Sequence, residues 1–381
     1  ANTVTITTSQ PFGMLLQGAG SLPIVCPQGL KNPASLDHGT DGTGPYQVTN
    51  YVPSDHYTFE ARPGYTWGPG GATNSAPGSP KTVTISFVQN ESTSANQLLS
   101  GQINAAQITG PDRTRLDANP TLKRQSVPVM VGEMNLNEAP GRPLADPQVR
   151  QALAQALNRP EVTKVGTSNL GTVANNMMVE APVTCGGDET TGALPQFDVA
   201  AANRALDAAG WAKGADGTRS KNGQQLAIKL IYQVGAPQTV SATELIAQEL
   251  AAVGIKANLQ GLTQNAFLES LYTTQDFDAY YSGINLEFPF MMTTYYGGAT
   301  PAKGGRNAGS IVNPDFDSLS AKALSTPGPQ GCDLWKQAHQ ALLKRADVIP
   351  ISVGDRPFYS SKATLQTVGL FAVPTSIRLY Q

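Results

Sequence analysis

Apolar and polar residues alternate in KTVTISFV, where Val83, Ile85 and Phe87 share one side against Thr and Ser. That period of two predicts a half-buried strand. The opening stretch ANTVTITT reads the same way. STSANQLLSG then predicts a short helix closed by Gly101, and INAAQI another strand. DPQVRQALAQAL predicts a helix with Asp146 as N-cap and Pro147 in its first position. Its apolar stripe, Val149, Leu153, Ala156 and Leu157, is core packing. FDVAAANRALDAAGW predicts a second capped helix, from Asp198 to the terminating Gly210, and DGTRSKNGQQL carries the DG and NG signals of a hairpin. QLAIKLIY sets Leu226, Ile228 and Leu230 on one face. A helix from Ser241 to Val253, stopped by Gly254, follows it and leads into the strand IKANLQ. Strand, helix and strand in that order imply a parallel pair with a crossover, hence an α/β lobe. NPDFDSLSAKAL and CDLWKQAHQALLKRA read as helices and DVIPISV as a strand. Gly, Pro and Ser crowd residues 62–80, a surface excursion because strands flank it. No internal repeat is present.

Composition narrows the classes. A chain of 381 residues suggests two or more lobes rather than one core. Only 14% of residues are charged, against about 25% in ordinary domains, so Thr, Ser, Asn, Gln and Gly carry the polar work. A net charge of -2 and the lack of any Lys/Arg run exclude a nucleic-acid footprint. No run is long and apolar enough to span a bilayer. No signal peptide is read before ANTVTITT, so whatever preceded it is expected to have been removed. The three cysteines, Cys26, Cys185 and Cys332, lie far apart. One disulfide and one free thiol suit an exported protein; three buried thiols suit a cytosolic one. The expectation taken is a Cys185–Cys332 disulfide, because both lie in polar, glycine-containing loop sequence (VTCGGDE, PQGCDLW).

Catalytic and cofactor motifs are scarce. HGTDGTGPYQV has no Gly-Lys-Ser or Gly-Lys-Thr for a phosphate loop. Gly42 and Gly44 lead into Pro45 rather than a helix, so it reads as a tight turn needing positive φ. GxSxG and HExxH are absent, and His38, His56 and His339 have no metal-ligand spacing. Asp55–His56 reads as an exposed turn pair, and Asp276/Asp278 and Asp315/Asp317 as caps or solvated acids. No cofactor, metal or catalytic residue is expected. One stretch stands out: DFDAYYSGINLEFPFMMTTYYGG, with Glu287 alone between Leu286 and Phe288. A lone acid among large apolar groups costs free energy unless paired or solvated. Two readings stay open: a loop where Glu287 reaches water, or a pocket wall with one charge for a cationic ligand group.

Several stretches, in order, resemble the family 5 extracellular solute-binding proteins of ABC transporters, the oligopeptide-, dipeptide- and nickel-binding type. They are GTGPY, ISFVQNESTSANQLLSGQINAAQI, DPQVRQALAQALNRPEV, FDVAAANRALDAAGW, ELIAQELAAVGIKANLQ and QAHQALLKRADVIPISV. Their collinearity, over essentially the whole chain, carries the resemblance. It implies an α/β, two-lobed periplasmic-binding-protein-like fold of type II, with a mixed sheet in each lobe and a cleft between them. Lobe I would be 1–131, lobe II 132–353, and 354–381 would return to lobe I. The family's N-terminal signature LRDGVKFHDGTP falls before residue 1, so lobe I is expected to be partial.

The resemblance places the crossings at VMVGEMNLN, with Asn135 on or beside a cleft-facing Asn, and at ISVGDRPFY. Peptide-binding members use a Gly–Trp–x–x–Asp stretch, and SGINLEF is similar to it. Gly283 and Asn285 would supply backbone contacts and Glu287 the acid for a peptide ammonium. Ile284 replaces the Trp, and two residues are missing before Pro289. Arg356 would bind a ligand carboxylate or form a structural ion pair; Tyr295, Tyr296 and Tyr359 are pocket walls or ordinary packing. The implied function is that of a monomeric, non-enzymatic, exported binding component of an importer. It would capture a peptide-like solute by hinge closure and deliver it to a membrane permease, with any lipid anchor outside this chain. The alternatives are a non-peptide ligand (oligosaccharide, metal chelate or haem), a hydrolase on a two-lobed α/β scaffold, or a sensory or structural fragment that binds no small ligand.

Overall fold

The computed structural model describes residues 3–380 apart from 21, 23, 38, 181, 182 and 370. His38, read as part of a turn and as one of three scattered histidines, lies outside the described residues. The chain divides into two compact units: Ala1–Gly18 with Val129–Gly354, and Ala19–Pro128 with Asp355–Gln381. The residues up to Gly18 group with the middle segment. The Gly13 N–H donates to the Leu324 carbonyl, Phe12 meets Phe290 edge-on at 5.2 Å, and Met14 joins the core. The described part of ANTVTITT, residues 3–8, is not a strand. Residues 3–8 have no strand partner among the described residues, and Val4 is 86% exposed.

The larger unit is built on a six-stranded mixed sheet. Ala227–Gln233 pairs in parallel with Lys256–Leu262 on one side and Ala279–Tyr281 on the other. Ala279–Tyr281 then pairs antiparallel with Pro128–Leu136, and Val348–Asp355 and Thr172–Val173 complete the order. The crossover helix, Pro237–Ala252, starts four residues earlier than expected because Pro237 occupies its first position, where a missing N–H costs nothing. Gly254 ends that turn at φ 88°, a region an L side chain resists. Ile228, Leu230 and Tyr232 enter the main core with Leu342, Leu343 and Trp335, while Ile231 enters a second core on the opposite face with Phe267, Phe277 and Tyr280. The expected caps Asp146 and Asp198, and Asn313 besides, each accept a backbone N–H two or three residues on. Cys185 is joined to Cys332 by a disulfide.

The smaller unit holds an antiparallel meander, Tyr46–Val52, His56–Ala61 and Thr82–Ser86, and a three-stranded sheet of Ala105–Gln107, Phe358–Ser360 and Lys123–Gln125. Its buried cluster is small: Ala95, Leu98, Ile108, Leu116 and Tyr359. The GTGPY turn corrects one expectation. None of Gly39, Gly42 and Gly44 has positive φ. Arg62 shapes this turn instead, donating from Nε to the Gly44 carbonyl and from a terminal nitrogen to the Gly42 carbonyl.

Candidate functional site

The carboxyl ends of the three parallel strands in the larger unit lie at one edge of its sheet, and in open α/β sheets ligands bind beyond such ends. The segment leaving the last of these strands is SGINLEF. It is fixed by close contact with the strand Pro128–Leu136. A Cβ on Gly283 would lie 1.8 Å from the Met130 carbonyl oxygen, so only glycine fits there. The Asn285 amide completes the attachment: its Oδ1 accepts from the Met130 N–H at 2.8 Å and its Nδ2 donates to the Met130 carbonyl at 3.0 Å. The side chain thus acts as a short length of strand. The Ser282 N–H donates to the Glu133 carbonyl alongside.

Beneath this segment lies a buried acid. Glu133 is 1% exposed, and its Oε1 accepts from the Tyr296 hydroxyl at 2.6 Å and the Asn135 amide at 2.9 Å. Burial pushes its carboxyl up to about 7; the two hydrogen bonds only partly oppose that rise. Burial, and then the nearby Glu133 charge, hold the Tyr280 and Tyr296 hydroxyls well above the ordinary phenol range. Farther along the same segment, Phe288 and Phe290 stack with centroids 5.6 Å apart. Tyr295 is half-buried, and its hydroxyl accepts from Arg306 at 3.0 Å.

The expected site residues therefore separate. Asn135, Gly283, Asn285, Glu287 and Tyr295 belong to the larger unit, and Arg356 and Tyr359 to the smaller. Asn135 supports the buried acid rather than facing solvent. The Asn285 side chain and the Gly283 α-carbon are committed to Met130. The Glu287 carboxylate is half-buried, with no hydrogen bond or ion pair among the described residues, which leaves it able to take a donor. Arg356 is exposed, and no structural ion pair forms there among the described residues. The neighbouring Asp355 instead gathers Arg113, Arg124 and the Val127 N–H. Tyr359 is fully buried, with its hydroxyl on Asp117 at 2.7 Å, so it is core rather than pocket wall. Glu133 escaped the sequence reading, although a signal was present. In VMVGEMNLN an acid stands amid apolar residues and alternates with Asn135 and Asn137, which puts three polar groups on one strand face.

The arrangement offers carboxylates, amides and hydroxyls on an aromatic ground. Among the described residues, no cluster of three or more His, Cys, Asp or Glu could hold a metal. No helix among them is long and apolar enough to cross a membrane. Similarity to known proteins agrees with this picture. XP55 of Streptomyces lividans is 28% identical over 270 residues, 68% of this chain and 46% of its own length. The oligopeptide-binding protein AppA of Bacillus subtilis, solved with a nonapeptide, superposes with a TM-score of 0.76 at 20% identity, covering 98% of this chain and 75% of that one. NikZ of Campylobacter jejuni, solved with Ni(L-His), gives a TM-score of 0.77 at 18% identity, covering 97% and 75%. These likenesses establish the two-lobed binding-protein fold, and the chain spans under half the length of XP55. The family described as "Bacterial extracellular solute-binding proteins, family 5 Middle" matches residues 1–306, and the chain belongs to that family.

Proposed function

We propose that this chain is the ligand-capturing part of an ABC importer, that it takes a peptide-like solute at the carboxyl end of the larger unit's sheet, and that it passes the solute to a membrane permease. One observation carries the reading. SGINLEF is locked to the Pro128–Leu136 strand through Met130, while the Glu287 carboxylate stays unpaired among the described residues. A fixed backbone beside a free acid suits a ligand with its own backbone and an ammonium group. The oxidised Cys185–Cys332 pair supports an exported protein, since such bonds persist outside the reducing cytosol. The proposal includes a monomer at the cell surface or in the periplasm, held by a lipid anchor outside these residues. Binding without catalysis is part of the same reading.

Native mass spectrometry of protein purified from its source tests the ligand class. A ladder of peptide masses supports the proposal; a metal chelate, sugar or haem mass replaces it with the second reading, which Ile284 in place of the family's Trp favours. Glu287→Gln should weaken a cationic peptide by roughly 10–100-fold, the usual value of a charge-assisted hydrogen bond. Unchanged affinity in calorimetry removes Glu287 from the site.

A further inference from the structure

Glu133 is buried with two neutral donors and, among the described residues, no cation close enough to offset its charge. The groups that face it are known. Asn135 lies on its own strand, Tyr280 on the neighbouring strand, and Tyr296 just beyond the short helix Met292–Tyr295. Tyr272, Tyr295 and Arg306 stand behind Tyr280, with Arg306 on the Tyr295 hydroxyl rather than on the acid. An ionised carboxylate in such a place is costly, and a protonated one is not. The two states also bond differently. The carboxylate can only accept from Tyr296 and Asn135, whereas the acid carries a proton of its own to place. Tyr296 is continuous in sequence with the aromatic segment that follows SGINLEF, so whatever holds Tyr296 holds the outer border of the proposed site.

We propose that Glu133 is a positioning residue: its protonation state sets how firmly Tyr296 holds the strip from Ser282 to Tyr296 at the carboxyl end of the sheet, and so makes ligand capture proton-linked. The ligand half of this statement rests on the proposed function. The structural half does not, because it concerns one acid, one phenol and one strip of chain. Burial that pushes the Glu133 carboxyl up to about 7 puts the change within the range a bacterial surface meets.

The first test needs no ligand. Hydrogen exchange of the full chain is followed from pH 5.5 to 8.5 and corrected for the intrinsic pH dependence of exchange. Residues 282–296 should change protection several-fold around neutrality, while the helix Pro237–Ala252 stays constant. Glu133→Gln should abolish the step. Tyr296→Phe removes the hydroxyl through which the acid acts, so its step should be lost as well; this variant also serves if Glu133→Gln fails to fold. A flat wild-type profile, or a step that survives in Glu133→Gln or in Tyr296→Phe, overturns the proposal.

The second test uses trialanine and a nickel–histidine chelate as probes. Calorimetry at pH 7 in two buffers of different ionisation enthalpy should show proton exchange on binding in wild type and none in Glu133→Gln. Binding without proton exchange overturns the linkage. Failure of both probes to bind counts against the proposed function, and the exchange profile alone then decides the role of Glu133.

Discussion

The two units bury their sheets differently. In the larger one, Ala227–Gln233 has apolar side chains in cores on both faces, and Trp335, Phe316, Leu342 and Ile351 are fully buried. In the smaller one, register aligns Tyr51, Tyr57 and Ile85 on one meander face and Val48, Phe59 and Val83 beside them. That face is apolar, yet Ile85 remains 51% exposed and Phe87 50%. Stability there rests more on polar ties. Asp355 holds Arg113, Arg124 and the Val127 N–H, and the Glu91 carboxylate accepts from the N–H groups of Thr109 and Gly110. The larger unit has apolar burial enough to tolerate an unpaired acid such as Glu133. The smaller one has little apolar free energy to spare.

The largest effect should come from the deep core. Trp335→Ala removes a fully buried indole and should cost the larger unit about 3–5 kcal/mol, against about 2–5 kcal/mol for Leu98→Ala in the smaller. If the units differ as their cores do, urea unfolding of wild type shows two phases. Leu98→Ala should advance only the first and Trp335→Ala only the second, read by intrinsic fluorescence and hydrogen exchange. One transition shifted by both variants breaks the comparison.

Next comes the acid itself. Glu133 has a folded-state pKa of about 7, raised from 4.5 by burial. Below about pH 4.5 both folded and unfolded chains carry the proton, so the group contributes nothing. Between there and about pH 7 the unfolded chain ionises first, and stability falls as pH rises; above pH 7 the loss is complete. A rise of this size corresponds to about 3 kcal/mol. Glu133→Gln should therefore gain on wild type by up to that amount between pH 4.5 and 8. Glu138, raised by burial and by Asp347 beside it, adds its own slope to both proteins, and the difference between them removes it. Equal pH profiles for the two proteins would show that Glu133 is better solvated than its surroundings indicate.

Much of the larger unit was legible because its order is local. Periodicity marked Leu226, Ile228 and Leu230, and caps marked Asp146 and Asp198, since burial and capping act within a few residues of sequence. What stayed hidden depends on distant partners. Asn285 is spoken for by Met130, 155 positions away, and Tyr359 by Asp117, 242 positions away. Local pattern holds no trace of either bond, so the Asn285 side chain went unread and Tyr359 stayed open between pocket wall and packing. The glycines of GTGPY show the reverse error, where local pattern implied a positive φ while Arg62, eighteen and twenty residues on, supplies the restraint. Glu133 was the exception, visible in principle. The argument applied to Glu287, a lone acid among apolar neighbours, holds with more force for an acid inside a strand.

The smallest effect is expected where the contrast between the units is sharpest. Phe87 contacts Tyr57 edge-on, with centroids 5.8 Å apart, and half its surface meets solvent. Substitutions at exposed sites usually stay within about 0.5 kcal/mol, and an aromatic pair adds about 0.5–1.5 kcal/mol beyond area burial. Phe87→Ser should therefore lower the first unfolding phase by no more than about 2 kcal/mol and leave the second untouched. Ile85→Thr, which keeps the β-branch and the strand preference, should do less still. A loss of about 3 kcal/mol or more in either variant would mean that the meander face is buried in solution as a core is. The difference between the units would then lie in what covers each sheet rather than in how each sheet is made.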